Sequence, residues 1–271
     1  MRILSADDRL AQRRGVKTLI VGPTGVGKTS LLRTVDPRRA LLLDSDAGDL
    51  SIQDVPVDTI HIDDWQTARD VACRIGGPNW SFSPLHCYSQ AHFEKIGGPL
   101  ENLNRYDLIV ADSITAISRL SFRWAEQQPE ARSDRTGAKD TRAAYGLHAR
   151  ELLLWLHQLQ HVREKHVIFI GILERLTDDF DRPLGFRVQM EGAKVPREIG
   201  AIVDEIIVMD WVQFDGCDGP QRAFICSSPN RWNYPAKDRS GRLDQIEEPH
   251  LGRLLTKIVN KPAATPRHEK E

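Results

Sequence analysis

The stretch Gly22-Pro23-Thr24-Gly25-Val26-Gly27-Lys28-Thr29-Ser30 constrains what this chain can fold into more than any other. It fits G-x-x-x-x-G-K-[ST], a phosphate loop, which requires a buried strand before it and a helix after it. The flanks supply both. Lys17-Thr18-Leu19-Ile20-Val21 reads as a short buried strand, and Leu31-Leu32-Arg33 opens a helical pattern that runs to about Val35, where Asp36-Pro37 ends it. Glycines let successive backbone N–H groups turn inward around an anion where a Cβ would obstruct them. The following helix aims its positive dipole end at the same phosphates. In that frame Lys28 reaches the β- and γ-phosphates of a nucleoside triphosphate, and the Thr29 hydroxyl ligates Mg²⁺.

A chain of 271 residues suffices for one α/β domain with additions and a sizeable core. Its net charge of -1 at 28% charged residues excludes a globally basic nucleic-acid binder, so any such site is local or forms on assembly. Cys73, Cys87, Cys217 and Cys226 contain no C-x-x-C pair, which fits a reduced cytoplasm better than a disulfide framework. No apolar run approaches membrane-spanning length, and the charged N-terminus does not suit a signal peptide. The expectation is a cytoplasmic protein with no membrane partner.

Along the chain, residues 1–16 form a polar lead-in or a short helix, including Arg2 and Arg13. Ala40-Leu41-Leu42-Leu43-Asp44-Ser45-Asp46 is an apolar run ending in acids, the way a buried parallel strand delivers carboxylates to the sheet edge where ligands bind. Asp44 and Asp46 share a side if the strand continues through them, and Asp46 is the candidate to deprotonate the attacking water. Residues 57–62 alternate like a third strand, and Asp63 or Asp64 then caps a helix that Gly76-Gly77-Pro78 stops. Residues 76–100 read as an insertion whose Trp80, Phe82, Tyr88 and Phe93 form a small local core. The spacing of Cys73, His86, Cys87 and His92 does not suit zinc.

Arg105-Tyr106-Asp107-Leu108-Ile109-Val110-Ala111-Asp112-Ser113 is an apolar strand ending in a carboxylate, the form of a Walker B element, with Asp112 holding Mg²⁺ through water. A helix from Ile114 to about Gln128 follows, then a polar loop over 129–142. Its Arg132, Arg135, Lys139 and Arg142, interleaved with acids, are candidate contacts for a phosphate backbone. A long helix spans Ala143 to Lys165, and a strand His166–Gly171 leads to Glu174, a candidate γ-phosphate sensor. Residues 177–197 show no periodicity and read as a long loop. Residues 202–212 and 221–227 form a C-terminal antiparallel hairpin, a last helix follows Pro249, and residues 260–271 form a disordered tail.

Taken in order, these elements resemble the RecA-type ATPase core over residues 17–259. The resemblance implies a mostly parallel sheet flanked by helices, ATP and Mg²⁺ as ligands, and Asp46 where the family carries a catalytic Glu. Gly171 and Ile172 stand where RecA has a polar pair. Lys237-Asp238-Arg239-Ser240-Gly241 looks like the K-x-R-x-G element of RadA-type proteins and replicative helicases, which implies that Lys237 and Arg239 act on the nucleotide of a neighbouring subunit. The overall layout is similar to phage-encoded proteins consisting of a RecA core alone, some of which anneal single-stranded DNA. That likeness implies oligomerisation with nucleotide at the subunit interface, single-stranded DNA as a partner, and a single-strand-binding protein as a further one. Loops 129–142 and 174–197 then occupy the places of the DNA-binding loops. The expected function is a Mg-ATP-hydrolysing ATPase acting on single-stranded DNA in recombination or annealing. The alternatives are a small-molecule kinase and a nucleotide-dependent switch with little hydrolysis. No [NT]-K-x-D motif supports a GTPase, and no L-S-G-G-Q signature supports an ABC-type ATPase.

Overall fold

Alternate residues of the apolar runs pack into two separate cores, because the strands they form are covered by helices on both faces. The computed structural model describes residues 3–12, 14–133 and 135–260. A short helix α1 (Ala6–Ala11) precedes β1 (Lys17–Gly22), while Arg2 and Arg13 lie outside the described residues. β2 (Ala40–Asp44), β3 (Asp58–His61) and α2 (Trp65–Gly76) follow, with Asp64 capping α2 by accepting from Thr67 N at 2.8 Å. Then come α3 (Gln90–Lys95), β4 (Leu108–Asp112), α4 (Ile114–Ala125) and α5 (Thr141–Gln160). β5 (His166–Thr177), β6 (Pro183–Val188), α6 (Lys194–Ile202), β7 (Glu205–Val212) and β8 (Gln221–Ile225) come next. The short strands β9 (Lys237–Asp238) and β10 (Ile246–Glu247) and the helix α7 (Leu251–Val259) complete the described chain. The tail expected over 260–271 lies, apart from Asn260, outside the described residues.

The sheet runs β10-β8-β7-β1-β5-β4-β2-β3, with β6 added to β5 and β9 to β7. Pairings from β3 through β7 are parallel, and β7–β8 and β8–β10 are antiparallel. The mostly parallel sheet and the C-terminal hairpin are therefore as the sequence implied. Leu19, Val21, Leu41, Leu43, Ile109, Ala111, Val167 and Phe169 face a core shared with α2, α4, α5 and α6. Ile20, Leu42, Val110 and Ile168 face a second core with Leu31, Leu32 and α7. Lys17 begins β1 only 3% exposed, and its ammonium donates to the carbonyls of Gly15, Val162 and Lys165.

Several boundaries differ from expectation, each for a physical reason. After the phosphate loop the chain forms a 3-10 turn over Thr29–Thr34 instead of an α-helix. Thr34 Oγ1 donates to the Leu31 carbonyl, and Asp36-Pro37 stops the element before it can lengthen. α4 stops at Ala125, and α5 spans Thr141–Gln160, so Arg142 stands in its first turn. β5 runs on past Gly171 to Thr177 and folds back as β6, so the segment read as a long loop contains a strand and then α6. Ile202 closes α6 and belongs to no strand. In the 76–100 segment Tyr88 is buried and Phe82 and Phe93 pack onto the main core, whereas Trp80 stands 77% exposed, outside the expected local core.

Candidate nucleotide site

The phosphate loop leaves β1 at Gly22 and turns on Gly25 and Gly27, whose φ values of 80° and 96° lie where an L side chain is strained. Gly22 is fixed for a different reason, since a Cβ there would lie 2.2 Å from the Met209 carbonyl of β7. The Lys28 ammonium donates to the carbonyls of Gly22 (3.0 Å) and Pro23 (2.8 Å), which holds it across the loop it follows. Burial depresses its pKa, opposed by the charges of Asp112 and Asp46.

Two neighbouring strands bring the acids together. Asp44 closes β2 and Asp112 closes β4, and they are register partners across the sheet. Thr29 Oγ1 donates to Asp112 Oδ2 at 2.6 Å, so the two residues assigned to Mg²⁺ are in direct contact. The strand ends at Asp44, which removes the premise that Asp44 and Asp46 share a strand face. Asp46 is exposed on the following bend, and Ser113 Oγ donates to its Oδ2 at 2.5 Å. Ser45 Oγ accepts from Ser113 N (2.9 Å) and donates to Ser113 O (3.1 Å), tying the two post-strand bends together. The Asp112-Ser113 peptide bond is cis.

A divalent cation suits this set. Asp44 Oδ2 is buried with no hydrogen-bond partner, and His61 Nδ1 stands 3.4 Å from it. Burial, with the charges of Asp46 and Asp44, raises the pKa of Asp112, while Thr29 and Lys28 pull it back. Among the described residues no group of three or more His, Cys, Asp or Glu forms a metal cage on its own. Mg²⁺ does not need one, because it keeps waters and takes substrate phosphate oxygens alongside one or two protein ligands.

The remaining candidates lie at two places. Glu174, two residues beyond the Ile172 that pairs with Gly22, accepts from Arg187 Nε of β6 at 2.7 Å. Arg132, Arg135, Lys139 and Arg142 are exposed around the α4–α5 connection. α4 and α5 are antiparallel, with Phe122 stacked on Tyr145 at 4.4 Å and Ser121 Oγ 3.1 Å from His148 Nδ1. α5 descends to the edge where β5 begins, so α4 rises from Ser113 beyond the opposite edge, on the side of the phosphate loop. Lys237 and Arg239 stand at the other end of the sheet, because β9 pairs with the start of β7. Within this chain Lys237 Nζ donates to the Gly200 and Val203 carbonyls, and Arg239 pairs with Asp204 at 3.0 Å. Neither reaches this chain's own phosphate loop.

The motif reading left three residues without a task. Ser45 and Ser113 join the acids through the register of two strands distant in sequence, and Arg222 of β8 reaches the loop through the hairpin. The Asp-Ser pairs themselves were visible, but nothing in their local pattern marks the contact.

A phosphate loop on β1, a carboxylate ending β4, and an intervening parallel strand β5 define a P-loop nucleotide-binding domain. The model of the AAA domain family matches residues 14–240, and the chain belongs to that family. The structure is also similar to the RadB recombinase, with 17% identity, 83% of this chain and 91% of that chain covered, and a TM-score of 0.38. A KaiC-like protein from the hyperthermophilic archaeon Pyrococcus horikoshii shows 14% identity, coverage of 82% and 84%, and a TM-score of 0.37. No curated protein matches the chain.

Proposed function

We propose that this protein is a Mg²⁺-dependent ATPase that couples turnover to single-stranded DNA, in recombination or strand annealing. The observation that carries the ATPase reading is the 2.6 Å contact of Thr29 with Asp112, formed while Ser113 holds Asp46 beside them. Loop N–H groups and Lys28 bind the triphosphate. Thr29 Oγ and Asp112 would hold Mg²⁺, which neutralises charge on the β- and γ-phosphate oxygens when bound. The Asp46 carboxylate accepts the proton of the water that attacks the γ-phosphorus, and the bond from that phosphorus to the bridging oxygen breaks, releasing ADP. Ser113 positions Asp46, which is shorter than the Glu of the RecA pattern.

The DNA component rests on the exposed Arg132, Arg135, Lys139 and Arg142 on the loop's side of the sheet. Self-association would bring Arg239, 46% exposed at the opposite edge, to the nucleotide of a second copy. Steady-state ATP hydrolysis with and without single-stranded DNA, at low and moderate salt, tests the coupling. The expected result is stimulation that fades with salt, since phosphate contacts release counterions. A rate that DNA leaves unchanged at both salts contradicts it.

A further inference from the structure

Arg222 stands on β8 directly opposite Trp211 of β7, with its guanidinium carbon 5.9 Å from the indole ring centre. The side chain is exposed, and among the described residues it makes no hydrogen bond or ion pair. It nonetheless lies against the phosphate loop. Its Nη1 falls 2.4 Å from the position a Cβ on Gly27 would take, with Met209 Cε on the same side at 3.9 Å. Gly27 immediately precedes Lys28, so two cations flank one turn of backbone. The carboxylates that offset Lys28, Asp112 and Asp46, hang from β4 and from the bend after β2. Those strands lie on one flank of β1, whereas β7 and β8 lie on the other. A guanidinium with no ion-pair partner lying against the phosphate loop is a cation that a polyphosphate bound there can neutralise.

We propose that Arg222 is a nucleotide-binding residue acting within its own chain, holding the α- and β-phosphates on the β7–β8 flank of the loop. The γ-phosphate falls to the acidic flank. This inference rests on the nucleoside-triphosphate reading of the loop. Because the α- and β-phosphates are common to ATP and ADP, Arg222 serves both nucleotides alike. The Trp211 ring, 5.9 Å from the guanidinium carbon, favours a planar fork that a lysine ammonium does not reproduce.

The test is equilibrium binding of ATP and of ADP, each with Mg²⁺, to the unsubstituted protein, Arg222→Ala, Arg222→Lys and Lys28→Ala, with thermal midpoints measured without nucleotide. Arg222→Ala is expected to lose about tenfold or more in affinity for both nucleotides, as the loss of a charge-assisted contact implies. Its midpoint is expected to stay unchanged, because the side chain is exposed. Arg222→Lys should recover part of the affinity. Wild-type affinity in Arg222→Ala alongside lost binding in Lys28→Ala overturns the inference and leaves the loop's reading standing. A loss confined to ATP overturns the assignment to the α- and β-phosphates. Failure of the unsubstituted protein to bind either nucleotide overturns the loop's reading and this inference with it.

Discussion

In the proposed reaction Lys28 binds the triphosphate and Asp46 activates water, so substitutions there separate binding from chemistry. Lys28 spans the carbonyls of the loop and is the cation placed for the triphosphate. Lys28→Ala is expected to lower ATP turnover by about 10²-fold or more, in the range seen when one preorganised charge-stabilising group is removed. Asp46 accepts from Ser113 Oγ and, among the described residues, hydrogen-bonds no residue of the loop, although its charge favours the Lys28 ammonium. Asp46→Asn is therefore expected to bind ATP as the unsubstituted protein does while kcat falls by about 10²–10⁴-fold, the usual worth of a general base. Equilibrium binding and steady-state kinetics on the two variants check the separation. At this scale the sequence was most readable where the residues are contiguous. Gly22 through Ser30 form one local turn and announce themselves. The Ser113–Asp46 and Arg222–Gly27 contacts depend on which strands become neighbours, which no local pattern encodes.

Among the elements, β7 and β9 meet at a buried acid. Glu205 is 1% exposed and accepts from the N–H groups of Arg239 and Ser240. Burial, with Asp238 close by, pushes its pKa up to about 7. An acid whose pKa is higher in the folded state binds more protons there, so stability falls as pH rises from the ordinary glutamate range through about 7. Glu205→Gln keeps an acceptor without the charge. It removes the titration but retains only one of the two acceptors, so the fall in stability between pH 4 and pH 8 is expected to be smaller than in the parent by on the order of 1–3 kcal/mol, as denaturant titrations at the two values would show. The helix α5 poses a packing question instead. Trp155 is 1% exposed and its Nε1 donates to the Ala68 carbonyl of α2 at 2.9 Å. Trp155→Ala should cost about 3–5 kcal/mol through the cavity it leaves, visible as a lowered urea midpoint. The buried strands were legible as apolar runs because both faces are covered. The β5–β6 ribbon was not, since its residues from Glu174 to Arg187 run adjacent charged side chains between isolated apolar ones without a period, on a two-stranded, half-exposed element with Pro183 at the start of β6. Such a ribbon has no second layer to impose a continuous hydrophobic face.

For the whole molecule, the sheet separates two sets of candidate residues at its opposite ends. The phosphate loop, the acids and the rising α4–α5 connection occupy one end, and Lys237 and Arg239 occupy the other. Removing the charges of Arg132, Arg135, Lys139 and Arg142 together is expected to weaken single-stranded DNA binding at low salt and to flatten its dependence on salt, with ATP binding unaffected. Titrations of a labelled oligonucleotide across salt concentrations check this. The buried strands and the hairpin after β7 were foreseeable from apolar runs and turn residues, whereas the order of strands in the sheet, the length of β5 and the position of α6 required the three-dimensional packing. One site, built from Lys28, Thr29, Asp112 and Asp46, is proposed to hydrolyse ATP with Mg²⁺. Its most direct test is steady-state phosphate release from ATP by the unsubstituted protein and by Lys28→Ala and Asp46→Asn, with Mg²⁺ and with the metal chelated. Turnover is expected in the unsubstituted protein with Mg²⁺, and its loss in both variants and on chelation. Turnover that survives Lys28→Ala or chelation would contradict it.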